Sequence, residues 1–382
     1  MLKYFKTPPD RRIHARIMWA VGAAALCFLA LFAVFYAAIG AAAASVSGTD
    51  AADRWEAEDS AYPYAQLAAY FDTDSAFTLD NVYLRRMNIV KSLEENAVTV
   101  PDGASAYIDA FSAETTLSVT TSRATISTSA VACGGDFFFF HPVELLHGGY
   151  FDEDDLTIRS VVLAEYAAWQ LFGAIEVAGM EVTIGGQPFR VAGVCSAPTE
   201  ETELLAWGEK PRIFVNYIGL RMTTGFDRAT CYEIVLPNPI DSFAANLVSG
   251  EYNIGEFNTG AVLYDYTARF TFETLAGQAP DFFLRAMRRD RVVPPFWENV
   301  ARVAETRAIV LAFFGAIAGI LALIAAVVFI SLWFVIHPIR IRNIYGFFEE
   351  RWEARRMKAW LKKQASPLNA EEKKRPETAN PS

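Results

Sequence analysis

Two stretches of this 382-residue chain contain no Asp, Glu, Lys, Arg or His: the 28 residues from Ile17 to Ala44 and the 29 from Ala308 to Ile336. Wound as α-helices at ~1.5 Å per residue, each reaches about 40 Å, more than the ~30 Å hydrocarbon core of a bilayer. Backbone in lipid must satisfy its own hydrogen bonds, and only a helix or a closed barrel does so. The spacing therefore predicts two membrane helices, 17–44 and 308–336, with residues 45–307 folded between them. The composition agrees. It is 53% hydrophobic and 20% charged, where soluble domains sit near ~45–50% and ~25%.

Charge assigns the sides. Residues 1–16 and 337–382 together carry sixteen basic and seven acidic side chains, a net of +9, while residues 45–307 carry eighteen basic and thirty-seven acidic, a net of −19. Positive flanks stay in the cytoplasm, so both termini are expected inside and the 45–307 segment outside. The formal charge of −10 thus sums two compartments, and it offers no basic face for nucleic acid. Small residues at Ala42–Ser45 would suit a signal-peptide cleavage site. A signal core, however, runs about 7–15 residues and this apolar run is roughly twice that, so residues 1–44 read as an uncleaved anchor.

Between the spans the pattern is mixed. Asp50–Tyr70 reads as a continuing helix or a stalk, and Asp80–Glu95 as a helix with Val82, Met87, Val90 and Leu93 near helical spacing. Ala106–Ala113, Thr115–Thr121 and Ala124–Ala130 read as short strands rich in Thr, Val, Ile and aromatics. Ser160–Leu163 reads as a strand and Ala164–Phe172 as a helix that Gly173 caps. Met180–Ile184 and Pro188–Val194 form a hairpin joined by Gly185-Gly186, a dipeptide suited to the positive φ of a tight turn. Further strands are expected at Pro211–Tyr217, Cys231–Leu236 and Ala261–Glu273, and a short helix at Asp241–Leu247, capped by its own Asp. Arg285, Arg288, Arg289 and Arg291 make a basic patch expected near the membrane surface, ahead of a stalk at Glu298–Arg307. Residues 369–382 read as a disordered tail.

The runs LLHGGYFDEDDL, SVVLAEYAAWQLFG and VAGMEVTIGGQPFRVAGV, in that order, resemble the extracytoplasmic core domain of MacB-like ABC transporter permeases, within the FtsX/MacB superfamily. Leu145, Leu146, Gly148, Phe151, Leu171, Phe172, Gly173, Gly179, Ile184, Phe189, Val191, Gly193 and Val194 occupy the matching positions. The resemblance implies an α+β extracytoplasmic domain inserted between two transmembrane helices, in a bacterial cytoplasmic membrane. Phe151, Phe172 and Phe189 are expected in its core, with Gly148 and Gly173 at positive φ. Members of the family resemble four-span proteins, and this sequence shows two spans. It is therefore expected to work with a longer permease and an ABC ATP-binding subunit, as a homo- or hetero-dimer, its outer domain exchanging force with the membrane helices during the partner's ATP cycle. A stand-alone membrane-anchored binding or sensor module with the same fold is the alternative.

Catalytic chemistry is not expected. The sequence has no Walker A pattern, no H-E-x-x-H and no G-x-S-x-G, so ATP hydrolysis would belong to a partner, and no cofactor or metal is called for. His141 and His147, with Cys133 or Glu144, could in principle approach a metal, though a loop role suits them better. Cys195 and Cys231 stand at strand ends and form the candidate disulfide, with three buried free thiols as the alternative. After the second span, residues 337–368 form a basic segment in which Arg340, Arg342, Trp352, Arg355, Arg356 and Trp360 stand ready for anionic lipid or a cytoplasmic partner.

Overall fold

All strands among the described residues fall between Tyr64 and Asp265. The structure is a computed structural model that describes residues 11–46, 48–56, 60–72, 77–98, 105–153, 155–252, 261–282, 294–336 and 351–361. Contacts divide the chain into two units, Ala33–Ala316 and a second formed by Met1–Phe32 with Ile317–Ser382.

In chain order the elements are α1 (Arg11–Ala44), α2 (Ala51–Trp55), β1 (Tyr64–Tyr70), α3 (Leu79–Glu95), β2 (Ile108–Thr120), β3 (Thr125–Gly135) and α4 (Phe137–Phe140). Next come β4 (Leu145–Gly148), β5 (Ser160–Ala164), α5 (Glu165–Phe172), β6 (Glu181–Ile184), β7 (Gln187–Cys195), α6 (Glu201–Trp207), β8 (Arg212–Asn216) and α7 (Tyr217–Thr224). The chain closes with β9 (Cys231–Pro237), α8 (Phe243–Tyr252), β10 (Val262–Asp265), α9 (Phe272–Gln278), a 3-10 turn (Ala279–Asp281) and α10 (Phe296–Ile336). Residues 351–361 are helical, and all are exposed.

The larger unit is built on one sheet ordered β10-β1-β9-β2-β3-β8-β5-β7-β4, with β6 pairing both β2 and β7. Pairing is antiparallel except at β3–β8 and β5–β7. Both faces of the sheet are covered. On one, Leu79, Val82, Ile89 and Leu93 of α3 join Ala167, Ala168 and Leu171 of α5, Leu220 of α7 and Val248 of α8 over Leu67, Ile213, Tyr232 and Ile234. On the other, Ala51 and Ala52 of α2, Phe137 and Phe140 of α4, Trp207 of α6 and Trp297, Ala301 and Ala304 of α10 cover Tyr70, Phe214 and Val235. Every residue of β5, β8 and β9 is buried, the mark of strands sandwiched between two helical layers.

Several sequence expectations hold. The 80–95 helix, the Gly185-Gly186 hairpin with φ of 57° and 78°, and the Gly173 cap at φ 76° are all present. Others change. Asp50–Tyr70 is a five-residue helix followed by strand β1, paired to both β9 and β10. The two expected strands at 106–121 are one continuous β2. The expected strand at 261–273 ends at Asp265, and α9 follows, its first turn capped by the Thr271 hydroxyl accepting from the Thr274 amide. The 241–247 helix starts only at Phe243, after Ser242 at φ 63°. The basic patch at 285–291 lies outside the described residues.

The candidate disulfide is corrected. Cys195 and Cys231 are free and buried. They lie on β7 and β9, and β5, β8, β3 and β2 stand between those strands. Even by the shorter route through β2 and β6 two strands stand between them, so neither cysteine lies on a paired neighbour of the other.

In the smaller unit, α1 as far as Phe32 and α10 from Ile317 pack side by side. The Trp19 and Phe329 rings meet edge-on with centroids 6.4 Å apart, and a Cβ on Gly22 would come within 2.9 Å of the Phe329 ring. Small residues let apolar helices approach in this way. Both helices are long and apolar enough to cross a membrane, and hardly any of their apolar windows is buried. Alkylating the denatured, unreduced protein is expected to modify all four cysteines; modification of only two would contradict this strand order.

Candidate functional site

The root of α10 carries two adjoining stripes. Trp297, Ala301, Ala304 and Ala308 recur at helical spacing and are buried, the first three against the sheet and Ala308 against Leu275 of α9. One residue further on, Glu298, Arg302 and Glu305 follow the same period. Short alanines bring the helix close to the sheet, so the neighbouring charged stripe is drawn in with it. Glu298 is 0% exposed and Glu305 1%.

Their charge is answered from the loop after β10. Arg269, 3% exposed, forks onto Glu298 with Nη1 donating to Oε2 at 2.7 Å and Nη2 to Oε1 at 3.0 Å. The same Nη2 reaches Glu305 at 3.2 Å. Arg302 donates from Nε to Glu298 at 2.9 Å and from Nη2 to the Tyr264 hydroxyl at 2.8 Å. The Tyr266 hydroxyl donates to Glu298, and Tyr70 of β1 meets Tyr266 at 2.6 Å. Two arginines thus balance two glutamates, ringed by three tyrosines. Burial opposes the charge on Glu298, but Arg269 and then Arg302 outweigh it and hold the carboxyl below the usual carboxylate range. Burial first, then Glu298, pushes the Tyr266 hydroxyl well up, so it stays a neutral donor.

Above this clamp the first turn of α10 plugs an aromatic socket. Trp297 lies over His141 with ring centroids 4.3 Å apart and meets Phe137 edge-on at 5.6 Å. Phe296 meets Trp207 edge-on at 5.1 Å, and the Arg212 guanidinium sits 4.3 Å from the Phe296 ring centre. The His141 Nε2–H donates to Glu233 of β9 at 2.5 Å. Residues leaving α1 join the same face: the Gln66 side chain of β1 accepts from the Ala51 amide and donates to the Gly48 carbonyl. Gly48 has φ 85°, and a Cβ there would meet the Phe140 carbonyl at 2.7 Å and His141 Nδ1 at 2.9 Å. A cleft of about 210 Å³ opens beside the socket, lined by His141, Glu144, Thr199, Trp207, Phe296 and Trp297 among others. This is smaller than the ~300–1,000 Å³ of most small-molecule pockets. The arrangement can hold a helix firmly. Its carboxylates are already occupied by guanidinium groups, which suits mechanical joining rather than proton transfer.

Comparison with known families places this domain. The model of the MacB-like periplasmic core domain matches residues 25–250, more than half of the chain. The chain belongs to that family. One curated relative is the macrolide export ATP-binding/permease protein MacB of Agrobacterium fabrum, 37% identical over 93 residues, which is 23% of this chain and 14% of that protein. This chain therefore matches only a small part of that relative's length. Among solved structures, the periplasmic region of MacB from Actinobacillus actinomycetemcomitans is 14% identical with a TM-score of 0.39, covering 55% of this chain and 92% of that one. The extracellular domain of the noncanonic ABC-type transporter YknZ from Gram-positive bacteria is 14% identical with a TM-score of 0.36, covering 52% and 99%.

The residues that carry the MacB-like pattern take structural places. Gly148 and Gly193 face one another across β4 and β7, beside an irregularity in register. A Cβ on Gly148 would meet the Ala192 carbonyl at 2.3 Å, and one on Gly193 the Gly149 carbonyl at 2.5 Å. Phe151, Phe189 and Val194 are buried, Leu145 and Phe172 pack at the edges of the core, and Leu146 is exposed. Gly179 turns the chain into β6 at φ 88°. His147 is exposed on β4 while His141 is buried on Glu233, and the Cys133 thiol lies 3.8 Å from the Val215 carbonyl, so the metal candidates point to separate duties. Trp352, Arg355, Arg356 and Trp360 are exposed on the 351–361 helix, with Arg356 over Trp352 at 4.6 Å. Arg340 and Arg342 lie outside the described residues.

A second clamp holds the opposite face of the sheet. Arg86 of α3 donates twice to Asp109 of β2, both at 2.8 Å, and twice to Glu153, at 2.8 and 3.1 Å. Tyr232 donates to Asp109 at 2.7 Å. Asp136 stands beside these acids; burial and then the charges of Asp109 and Asp152 push its carboxyl up to about 6.

Four outcomes are expected. Arg269→Ala leaves two buried carboxylates short of a partner and should lower stability by about 3–5 kcal/mol. Arg221 of α7 instead pairs near the surface, with Asp227 at 2.9 Å and the exposed Asp80 at 3.2 Å, so Arg221→Ala should cost within about 1 kcal/mol; denaturation of the two variants in detergent compares them. Because Glu298 titrates below its ordinary value of 4.5 in the folded chain, its contribution is full above pH 4.5 and is lost as pH falls through the lower folded value. Asp136 has the opposite sign: its raised value means stability is lost as pH climbs from 3.8 through about 6. A shift of that size is worth roughly 3 kcal/mol for a buried group, and screening at this exposed edge reduces it to about 1 kcal/mol. Asp136→Asn should therefore raise the melting temperature at pH 7 and leave it unchanged below pH 3.8.

Proposed function

We propose that this chain is a permease-like membrane subunit of an ABC-type transporter, in which α10 carries movement between the folded domain and the bilayer while a separate subunit hydrolyses ATP. The buried clamp of Arg269 on Glu298 and Glu305 carries this reading. A helix needed only as a tether would require no charged side chains buried against the domain, because desolvating them is costly and a hydrophobic contact would anchor as well. Fixed, bidentate geometry instead gives α10 one orientation on the sheet. Membership of the MacB-like family supports the same class, as does the sequence, whose +9 flanks and −19 central segment support a cytoplasmic position for both termini and an outer one for the domain. The exposed 351–361 helix, with Arg351, Arg355, Arg356 and Lys358 beside Trp352 and Trp360, offers a basic surface to anionic lipid or to the ATP-binding partner.

Purification from native membranes in mild detergent tests the reading. An ATP-binding protein is expected to accompany the chain, and Arg269→Ala should retain that partner while changing its ATPase rate. Recovery of the chain alone, from membranes in which it is abundant, would contradict it.

A further inference from the structure

α9 (Phe272–Gln278) is a short helix whose place in the fold is explained neither by the sheet nor by the clamp. Its Leu275, 1% exposed, packs with Ala308, Ile309 and Ala312 of α10, and Ile39 of α1, Phe270 and Phe282 pack around them. These contacts fix its depth twice over. Ala312 lies four residues inside the uncharged run that begins at Ala308, and Ile39 lies five residues inside the end of the run that stops at Ala44. At ~1.5 Å per residue each is about 6–8 Å past its end. A run of 29 residues, about 43 Å long, matches the ~40–45 Å of a bilayer with its headgroup zones, so those first turns lie in the interfacial layer.

The exposed surface of α9 fits that layer. Phe272 is 57% exposed, and Ala276 and Ala279 continue its stripe at i+4 and i+7, both exposed. Glu273 is the one charged residue of the helix. An aromatic ring beside small apolar residues, with polar threonines at the rim, is the surface that settles at the headgroup boundary.

We infer that α9 is an interfacial helix lying in the lipid leaflet on the domain's side, with Phe272 as its anchor and Leu275 as its attachment to both membrane helices. The occupant is the bilayer itself, because the same uncharged helices that α9 rests on continue into it. α9 would then seat the domain at a fixed height, and the clamp would fix how α10 leaves it. α9 lies beyond the residues that the MacB-like family model matches. The inference rests on the reading of 17–44 and 308–336 as membrane spans, which the experiment tests separately.

A nitroxide at Phe272→Cys reports this depth by power saturation, with oxygen, which concentrates in lipid, and a water-soluble nickel chelate as relaxants. The full-length protein carries Cys27→Ala, since Cys27 is exposed whereas the other three cysteines are buried. It is reconstituted in phosphatidylcholine–phosphatidylglycerol vesicles. Val327→Cys on the exposed apolar face of α10 and Met87→Cys on α3, across the sheet from α10, serve as lipid and water references. The oxygen-to-nickel accessibility ratio is expected to exceed unity at position 272, to lie below that at 327, and to fall below unity at 87. Ala276→Cys should repeat the result if the Phe272 variant folds poorly. A ratio at 272 equal to that at 87, with 327 still in lipid, overturns the placement of α9 alone. A watery 327 overturns the span reading with it. Shielding of 272 from both relaxants with spin–spin broadening would mean that a second copy covers the helix, and would also overturn the proposal.

Discussion

The fork of Arg269 on Glu298 is the contact on which the arrangement of the larger unit depends. Arg269 follows β10 at one edge of the sheet, and Glu298 sits in the first turn of a helix that runs unbroken from Phe296 to Ile336. A buried ion pair adds little net stability, because removing both charges from water offsets most of their attraction. Its effect is geometric. With Arg302 and Tyr266 occupying the remaining lone pairs of Glu298, α10 can rotate or slide only by leaving a carboxylate buried without its donors. Trp297 in its socket and Leu275 against Ala308 and Ala312 hold the same helix above and below.

The sheet carries such an ionic fork on each face. Arg86 ties α3 to Asp109 of β2 on one side, and Arg269 ties α10 to the loop after β10 on the other. Glycines shape the strands and turns between them, as where Gly148 and Gly193 let β4 and β7 approach. The family match ends at residue 250; Arg269, α9 and α10 lie beyond it. Strands β1 to β9 thus fall within the matched span, while β10 and the Arg269 fork that holds α10 come after it.

Much of that fold was legible in the sequence where one physical signal dominated. Two uncharged runs announce two long helices, and Gly185-Gly186 announces a hairpin because few other residues accept positive φ twice in succession. β1 was not legible. Tyr64–Tyr70 is buried on both sides, so the alternation that marks a half-exposed strand is absent, and its alanines favour helix on propensity alone. Thr115–Thr121 merged with its predecessor because no turn residue separates them. The candidate site was half visible: Glu298, Arg302 and Glu305 repeat at helical spacing directly beside an apolar run, a place where a solvated stalk and a buried charged stripe look alike. Nothing local marks Arg269 as their partner, since it comes from a loop 29 residues away from Glu298. The pairing of Cys195 with Cys231 failed for the same reason, as strand order across a sheet is set by long-range contacts.

Hydrogen exchange on the full-length protein in a bilayer tests the central claim most directly. If the clamp makes the root of α10 part of the domain, amides from Glu298 to Glu305 should exchange as slowly as those of β1 and β9 and lose protection together with them as denaturant is added. Fast exchange at 298–305 under conditions where β1 and β9 remain protected would contradict it, because it would mean that the helix root opens on its own.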